Sequence, residues 1–226
     1  MVPTSKPNRS HTLLAAGLLA LLLAAVPAPC LAAHSHPIDI GHARTLPLGT
    51  VVTVEGSATV PSGDFSSSSF DEGFAIQDHT GGIYVSVADD LGIRLRDRVR
   101  VTGQLQDSFG LLILVPAADS DVQVDGRGRH VEPRWVETGS IGEATEGRIV
   151  QVVGTITAPI EPDPPFGTKI TLDDGSGPIR IFVNTSTGID VSGLAEGQHL
   201  RVTGFSSQFN DYEIDPRFPS DIRRRH

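Results

Sequence analysis

The sequence predicts an all-β chain: two tandem five-stranded barrels following a cleaved signal peptide. Three observations predict it. Short runs of Val, Ile and Leu alternate with polar residues at a period of two, as in "VVTVEGSAT" from Val51 and "RVRVTG" ending at Gly103; this is the pattern of strands with one buried face. Glycine-rich turns separate the runs. The whole pattern then occurs a second time, with "FAIQDHTGGIYVSV" from Phe74 matching "ITLDDGSGPIRIFV" from Ile170 without a gap.

The amino terminus reads as an address. Lys6 and Arg9 precede the apolar run "LLAAGLLALLLAAV", and "PAPCLAA" follows with small residues suited to cleavage after Ala32 or Ala33. The run is shorter than the roughly 20 residues of a membrane span. Residues 1–33 are therefore expected to be removed, leaving a periplasmic or secreted protein with no membrane span. Cys30, the one cysteine, leaves with them, so disulfides cannot support the fold and packed cores must. Residues 34–44 read as a polar tail.

The first unit is expected over residues 45–124 and the second over 143–223. "VVTVEGSAT" matches "IVQVVGTIT" from Ile149, with Gly56 on Gly154; "RVRVTG" matches "HLRVTG" ending at Gly204; "FGLLILVPAADSDV" from Phe109 matches "FNDYEIDPRFPSDI" from Phe209. In the turns "QDHTGGI" and "DDGSGPI" an Asp starts the turn with its side chain and a Gly supplies positive φ. Residues 125–142 read as the connector, with Trp135 packing against one of the units. Closing each set of five strands into a barrel removes the free edges of an open sheet.

The pattern V-x-V-x-G, then F-x-I-x-D-x-x-G-x-I-x-V, then R-V-x-V-x-G resembles the oligonucleotide/oligosaccharide-binding (OB) fold, in particular the OB domains of bacterial exported proteins and those that accompany secreted nucleases. The resemblance covers nearly the whole chain after the signal and rests mostly on barrel-building residues. It departs from the family where a helix should join strands three and four: "ADDLGIRLRD" is short and "NTSTGIDVSGLAEG" is broken by glycines. The resemblance implies that ligand is received on the surface of strands two and three and by the flanking loops.

Strand alternation turns Ile83, Val85 and Val87 inward and leaves Tyr84 and Ser86 outside. In the second copy Ile179, Ile181 and Val183 turn inward, leaving Arg180 and Phe182 outside beside Lys169 and Thr171 of the preceding strand. Cations next to an aromatic ring suit a single nucleic-acid strand, charge for the phosphate and a flat surface for the base. Phe65, Phe70 and Phe166 in the first loops, and Phe109, Phe205 and Phe209 in the last, add candidate stacking surfaces on the same side. Single-stranded nucleic acid contacted by Lys169, Arg180, Phe182, Thr171, Phe166, Phe209, Tyr84 and Phe70 is thus the expected ligand.

Charge opposes that expectation in part. The chain carries a net charge of −9, which disfavours indiscriminate binding to duplex DNA. Residues 34–125 hold 13 acids and 5 bases, whereas residues 126–226 hold 14 acids and 11 bases, so the second half is the better anion partner. An oligosaccharide, or another envelope or secreted protein, fits the acidity better. No catalysis, cofactor or metal is expected: outside the signal there is no Cys, no G-x-S-x-G and no H-E-x-x-H. Asp78 and Asp174 read as turn caps, and Arg98 and Arg100, with the matching His199 and Arg201, as a solvated face in preference to a stripe that tracks phosphates.

Overall fold

In the computed structural model the described residues are Met1 and residues 36–225; the expected signal peptide and its cleavage site lie outside them. Each aligned run is a strand. The first unit contains β1 (Val51–Val60), β2 (Phe74–Gln77), β3 (Gly82–Val85), β4 (Asp97–Ser108) and β5 (Leu111–Val115), in spatial order β1-β2-β3-β5-β4 with β1 pairing back onto β4. All pairs are antiparallel except β3 with β5. A sixth strand, β6 (Val122–Arg127), lies on β4, and two single-turn helices, α1 (Ile40–Ala43) and α2 (Ser66–Ser69), flank the barrel.

The second unit repeats the ring. After β7 (Arg134–Trp135) come β8 (Ile149–Ile156), β9 (Glu161–Asp163), β10 (Gly167–Asp173), β11 (Ile179–Asn184), β12 (His199–Phe209), β13 (Asp211–Asp215) and β14 (Ile222–Arg224). The order β8-β10-β11-β13-β12 closes through β12 with β8, while β7, β9 and β14 pair on the outside. The protein thus contains two tandem OB-type barrels. No α-helix joins strands three and four in either copy; a single 3₁₀ turn at Thr185–Thr187 is what remains.

The repeated glycines mark the places where the rings close. A Cβ on Gly56 would stand 2.9 Å from the Gln77 carbonyl oxygen, and one on Gly154 2.8 Å from that of Asp173. Each β1-type strand therefore bends tightly over its neighbour, and a side chain there would press on backbone.

The duplication reaches further toward the amino terminus than the strand patterns indicate. Ile38 N–H donates to Thr53 O at 2.9 Å, and Val136 N–H to Gln151 O at 3.1 Å, at one constant offset. The turn aspartates then hold these segments: Asp78 Oδ2 accepts from Ile40 N–H at 2.9 Å, and Asp174 Oδ2 from Thr138 N–H at 3.1 Å. Ile40 and Ala43, expected in a tail, are fully buried in the first core. Trp135 differs from expectation in the other direction: it pairs through its backbone with Gln151 and its side chain is exposed.

Each barrel has its own apolar core, built on Val54, Phe74, Ile76 and Leu105 in the first and on Val152, Ile170, Ile181 and Leu200 in the second. A third cluster lies between them. Val60, Phe65, Ala75, Tyr84, Leu111 and Ile113 of the first unit pack with Ile149 and Phe205 of the second. Both barrels fall within a single compact unit, Ser35–His226. Polar contacts accompany the apolar ones: Ile149 N–H donates to Gln77 Oε1 at 2.9 Å, Arg217 Nη1 to Thr59 O at 2.7 Å, and Arg44 pairs with Glu146 at 2.7 Å.

Candidate functional site in the cleft between the barrels

The outer face of β2 and β3 in the first barrel is covered, not open. Ala75 and Tyr84 are register partners on that face and both lie in the shared cluster. Tyr84 does point away from its own barrel core, as alternation expects, but it is only 4% exposed. Its ring sits 6.1 Å from that of Phe205, and its hydroxyl donates to Asp71 Oδ1 at 2.7 Å.

Beside this contact the barrels enclose a cleft of about 540 Å³. Register places its second-barrel wall: Lys169 lies opposite Phe182 across β10 and β11, and Arg180 lies opposite Glu213 across β11 and β13. Ile179, Ile181 and Val183 belong to the second core, so Arg180 and Phe182 emerge on the other side, into the cleft. Thr171 shares their face but is not part of the lining.

Phe182 is 6% exposed. The two cations beside it are not free. Lys169 Nζ lies 2.7 Å from Asp163 Oδ2; Arg180 reaches Asp211 at 3.1 Å and Glu213 at 3.4 Å. The picture of an exposed phenylalanine flanked by unpaired cations is therefore corrected. The physical reason is local: β9 folds back on β10 and brings Asp163 within reach, while β13 carries acids at alternate positions beside Arg180.

Of the β13 acids, Glu213 and Asp215 line the cleft. In the first copy the outward positions of β5 hold Leu111, Ile113 and Val115; the aligned positions of β13 hold Asp211, Glu213 and Asp215. Burial pushes the Glu213 carboxyl up to about 7, against the lowering pull of Arg180. Burial, with the charge of Glu213 added, pushes Asp215 up as well. Asp215 Oδ1 is buried without a hydrogen-bond partner.

Aromatic rings form the mouth. Phe70 and Phe166 meet edge to face with centroids 5.4 Å apart, and Phe109 and Phe209 lie 4.7 Å apart. Phe70, Phe109 and Phe209 are exposed. Phe109 and Phe209, which align in the two copies, thus meet each other across the barrels; Asn210 N–H also donates to Phe109 O at 2.7 Å. Phe65 and Phe205, singled out among the loop aromatics, also line the cleft, whereas sequence reasoning missed Asp71, Glu213 and Asp215, which line it as well. The available signal was the exchange of "LLILV" for "DYEID" at aligned positions.

Asp78 and Asp174 act as turn caps. Burial alone would raise Asp78, but donors from the Thr80 hydroxyl and the Ile40, Gly81 and Thr80 N–H groups hold it below the usual carboxylate range. Asp174 is held low first by the Ser176 hydroxyl. Asp39, Asp78 and His79 stand close enough to share a cation, but both oxygens of Asp78 are already engaged by these donors. Arg98 and Arg100 both pair with Glu55, at 2.7 and 2.9 Å.

No protein-family model and no curated protein matches the chain. Among solved structures it is similar to the hypothetical protein ygiW from E. coli, at 15% identity and a TM-score of 0.31 over 39% of this chain and 89% of that one. It is similar to a murine DNA-binding protein bound with double-stranded DNA, at 10% identity and a TM-score of 0.36 over 79% and 94%. A third likeness is to a replication protein A heterotrimer bound to single-stranded DNA, at 12% identity and a TM-score of 0.33 over 81% of this chain and 51% of that one.

Proposed function

We propose that this chain is an exported, non-catalytic binding protein whose two OB-type barrels hold a neutral, hydroxyl-bearing ligand, an oligosaccharide segment, in the cleft between them. The observation that carries the reading is the charge balance of the cleft. Lys169 and Arg180 are both ion-paired, while Asp71, Glu213 and Asp215 line the same space. A polyanion would have to displace Asp163, Asp211 and Glu213 from the two cations and lie close to Asp71. Sugar hydroxyls would instead donate to these carboxylates, and flat apolar faces would rest on Phe166, Phe182 and Phe209; such a mixture of apolar walls and few directed polar groups is what a ligand pocket presents. Export is supported by the signal-like amino terminus, and the reading of no catalysis rests on the sequence, which outside the signal carries no Cys, no G-x-S-x-G and no H-E-x-x-H.

A second reading, single-stranded nucleic acid, is favoured by one observation: the exposed rings of Phe70, Phe109 and Phe209 at the mouth, since stacking of a base on an aromatic ring contributes about 1–3 kcal/mol. Calorimetric titration with cellopentaose and with hexathymidylate, each at two salt concentrations, separates the two. The oligosaccharide reading predicts saturable sugar binding that is indifferent to salt and weakened at least about tenfold by Phe166→Ala. Binding of hexathymidylate alone, falling as salt rises and weakened by Phe166→Ala, would replace it with the second reading.

A further inference from the structure

A second pocket, of about 270 Å³, shares no lining residue with the cleft. Its walls come from both barrels and from the connector. Four guanidinium groups line it, those of Arg96, Arg201, Arg217 and Arg223, together with His130. The one acid in the lining, Asp221, is consumed by Arg217, whose Nε and Nη2 donate to its two oxygens at 3.0 and 3.2 Å. His130 has Glu132 at 3.4 Å. Arg96, Arg201 and Arg223 make no ion pair among the described residues.

Two of these three are placed together by register. Arg201 on β12 lies directly opposite Arg223 on β14, so both side chains leave the sheet on one face with Cβ atoms about 5 Å apart. Like charges so placed oppose each other, and in a chain of net charge −9 carboxylates are abundant enough to have been placed beside them. None is. Arg96 reaches the same space from the first barrel, anchored by its N–H to Ala58 O at 2.8 Å. Guanidinium forks match the oxygens of phosphate with two parallel hydrogen bonds each.

We infer that this pocket binds a phosphate group, held between Arg201 and Arg223 of the second barrel and Arg96 of the first. The inference is independent of the cleft and of the ligand proposed for it. The phosphate could belong to a small monoester or free ion, or to a nucleic-acid backbone, and the two are distinguished by the probe.

The test is calorimetric titration of the protein with inorganic phosphate, and separately with hexathymidylate, at low ionic strength. Saturable binding of either probe is expected, weakened at least about tenfold by Arg201→Gln or Arg223→Gln and unaffected by the Arg98→Gln, Arg100→Gln pair. Phosphate alone points to the free or monoester source, and hexathymidylate with the same arginine dependence to the backbone source. If Arg201→Gln or Arg223→Gln lowers the unfolding midpoint, Arg96→Gln, on an exposed loop, must give the same loss. The inference fails if neither probe saturates, if the pocket variants bind as well as the parent, or if the Arg98, Arg100 pair weakens binding equally.

Discussion

Glu213 is the side chain on which the chemistry of the cleft turns. It is buried with its neighbour Asp215 and offset by a single guanidinium, and its carboxyl is raised to about 7. The folded protein therefore binds more protons than the unfolded chain between the ordinary carboxylate range and about pH 7. Asp64, raised by burial to about 6, contributes in the same direction. Stability should fall as pH rises through this window, by roughly 1–3 kcal/mol for Glu213. Urea unfolding at pH 5 and pH 8 checks it, and Glu213→Gln should flatten the difference; a protein more stable at pH 8 would contradict the assignment. Asp78 carries the opposite sign. Its donors keep it ionised, so Asp78→Ala should cost about 1–3 kcal/mol at pH 7 and release the α1 segment from the turn, seen as faster amide exchange at Ile40 and Gly41.

Among the elements, the strands that close each ring are the least tolerant. Gly154→Ala sets a methyl group 2.8 Å from the Asp173 carbonyl oxygen, and overpacking of this kind costs about 1–3 kcal/mol; a drop in the thermal midpoint of several degrees is expected. These strands were also the most legible in the sequence. Period-two alternation and duplicated glycines marked the rings because one face of each strand is apolar and the other wet. What alternation could not separate was an outward face turned to water from one turned to the sister barrel. β5 shows why: "LLILV" is apolar on both faces because both are buried, whereas β13, "DYEID", buries acids beside Arg180. Lys169 and Arg180 could be assigned to a face from sequence, but their partners could not. Asp163 and Asp211 arrive through strand pairings, not through sequence proximity. The α1 segment escaped notice because its fixing contacts are backbone hydrogen bonds and one carboxylate, which leave no hydrophobic period.

For the molecule as a whole, the first barrel supplies a wall as well as a fold. By covering Ala75 and Tyr84 with Phe205 and Ile149, docking removes one ligand face of the OB type and converts the other into a cleft. Gly82 and Gly147 touch backbone to backbone across the junction, and a Cβ on Gly82 would fall inside the Gly147 carbonyl. Gly82→Ala should therefore separate the barrels without unfolding either, giving a larger radius of gyration in X-ray scattering with unchanged circular dichroism. Phe205→Ala, which empties the centre of the shared cluster, should destabilise the protein by about 3–5 kcal/mol and split a single unfolding transition into two.

The docked arrangement underlies the cleft, and contacts between rings of different barrels report it directly. In a sample with labelled Phe and Tyr side chains, nuclear Overhauser effects are expected between Phe109 and Phe209, whose centroids are 4.7 Å apart, and between Tyr84 and Phe205, 6.1 Å apart. Both should vanish in Gly82→Ala. Absence of both cross-peaks in the unsubstituted protein would mean that the barrels move independently, and that the cleft is not a ligand site.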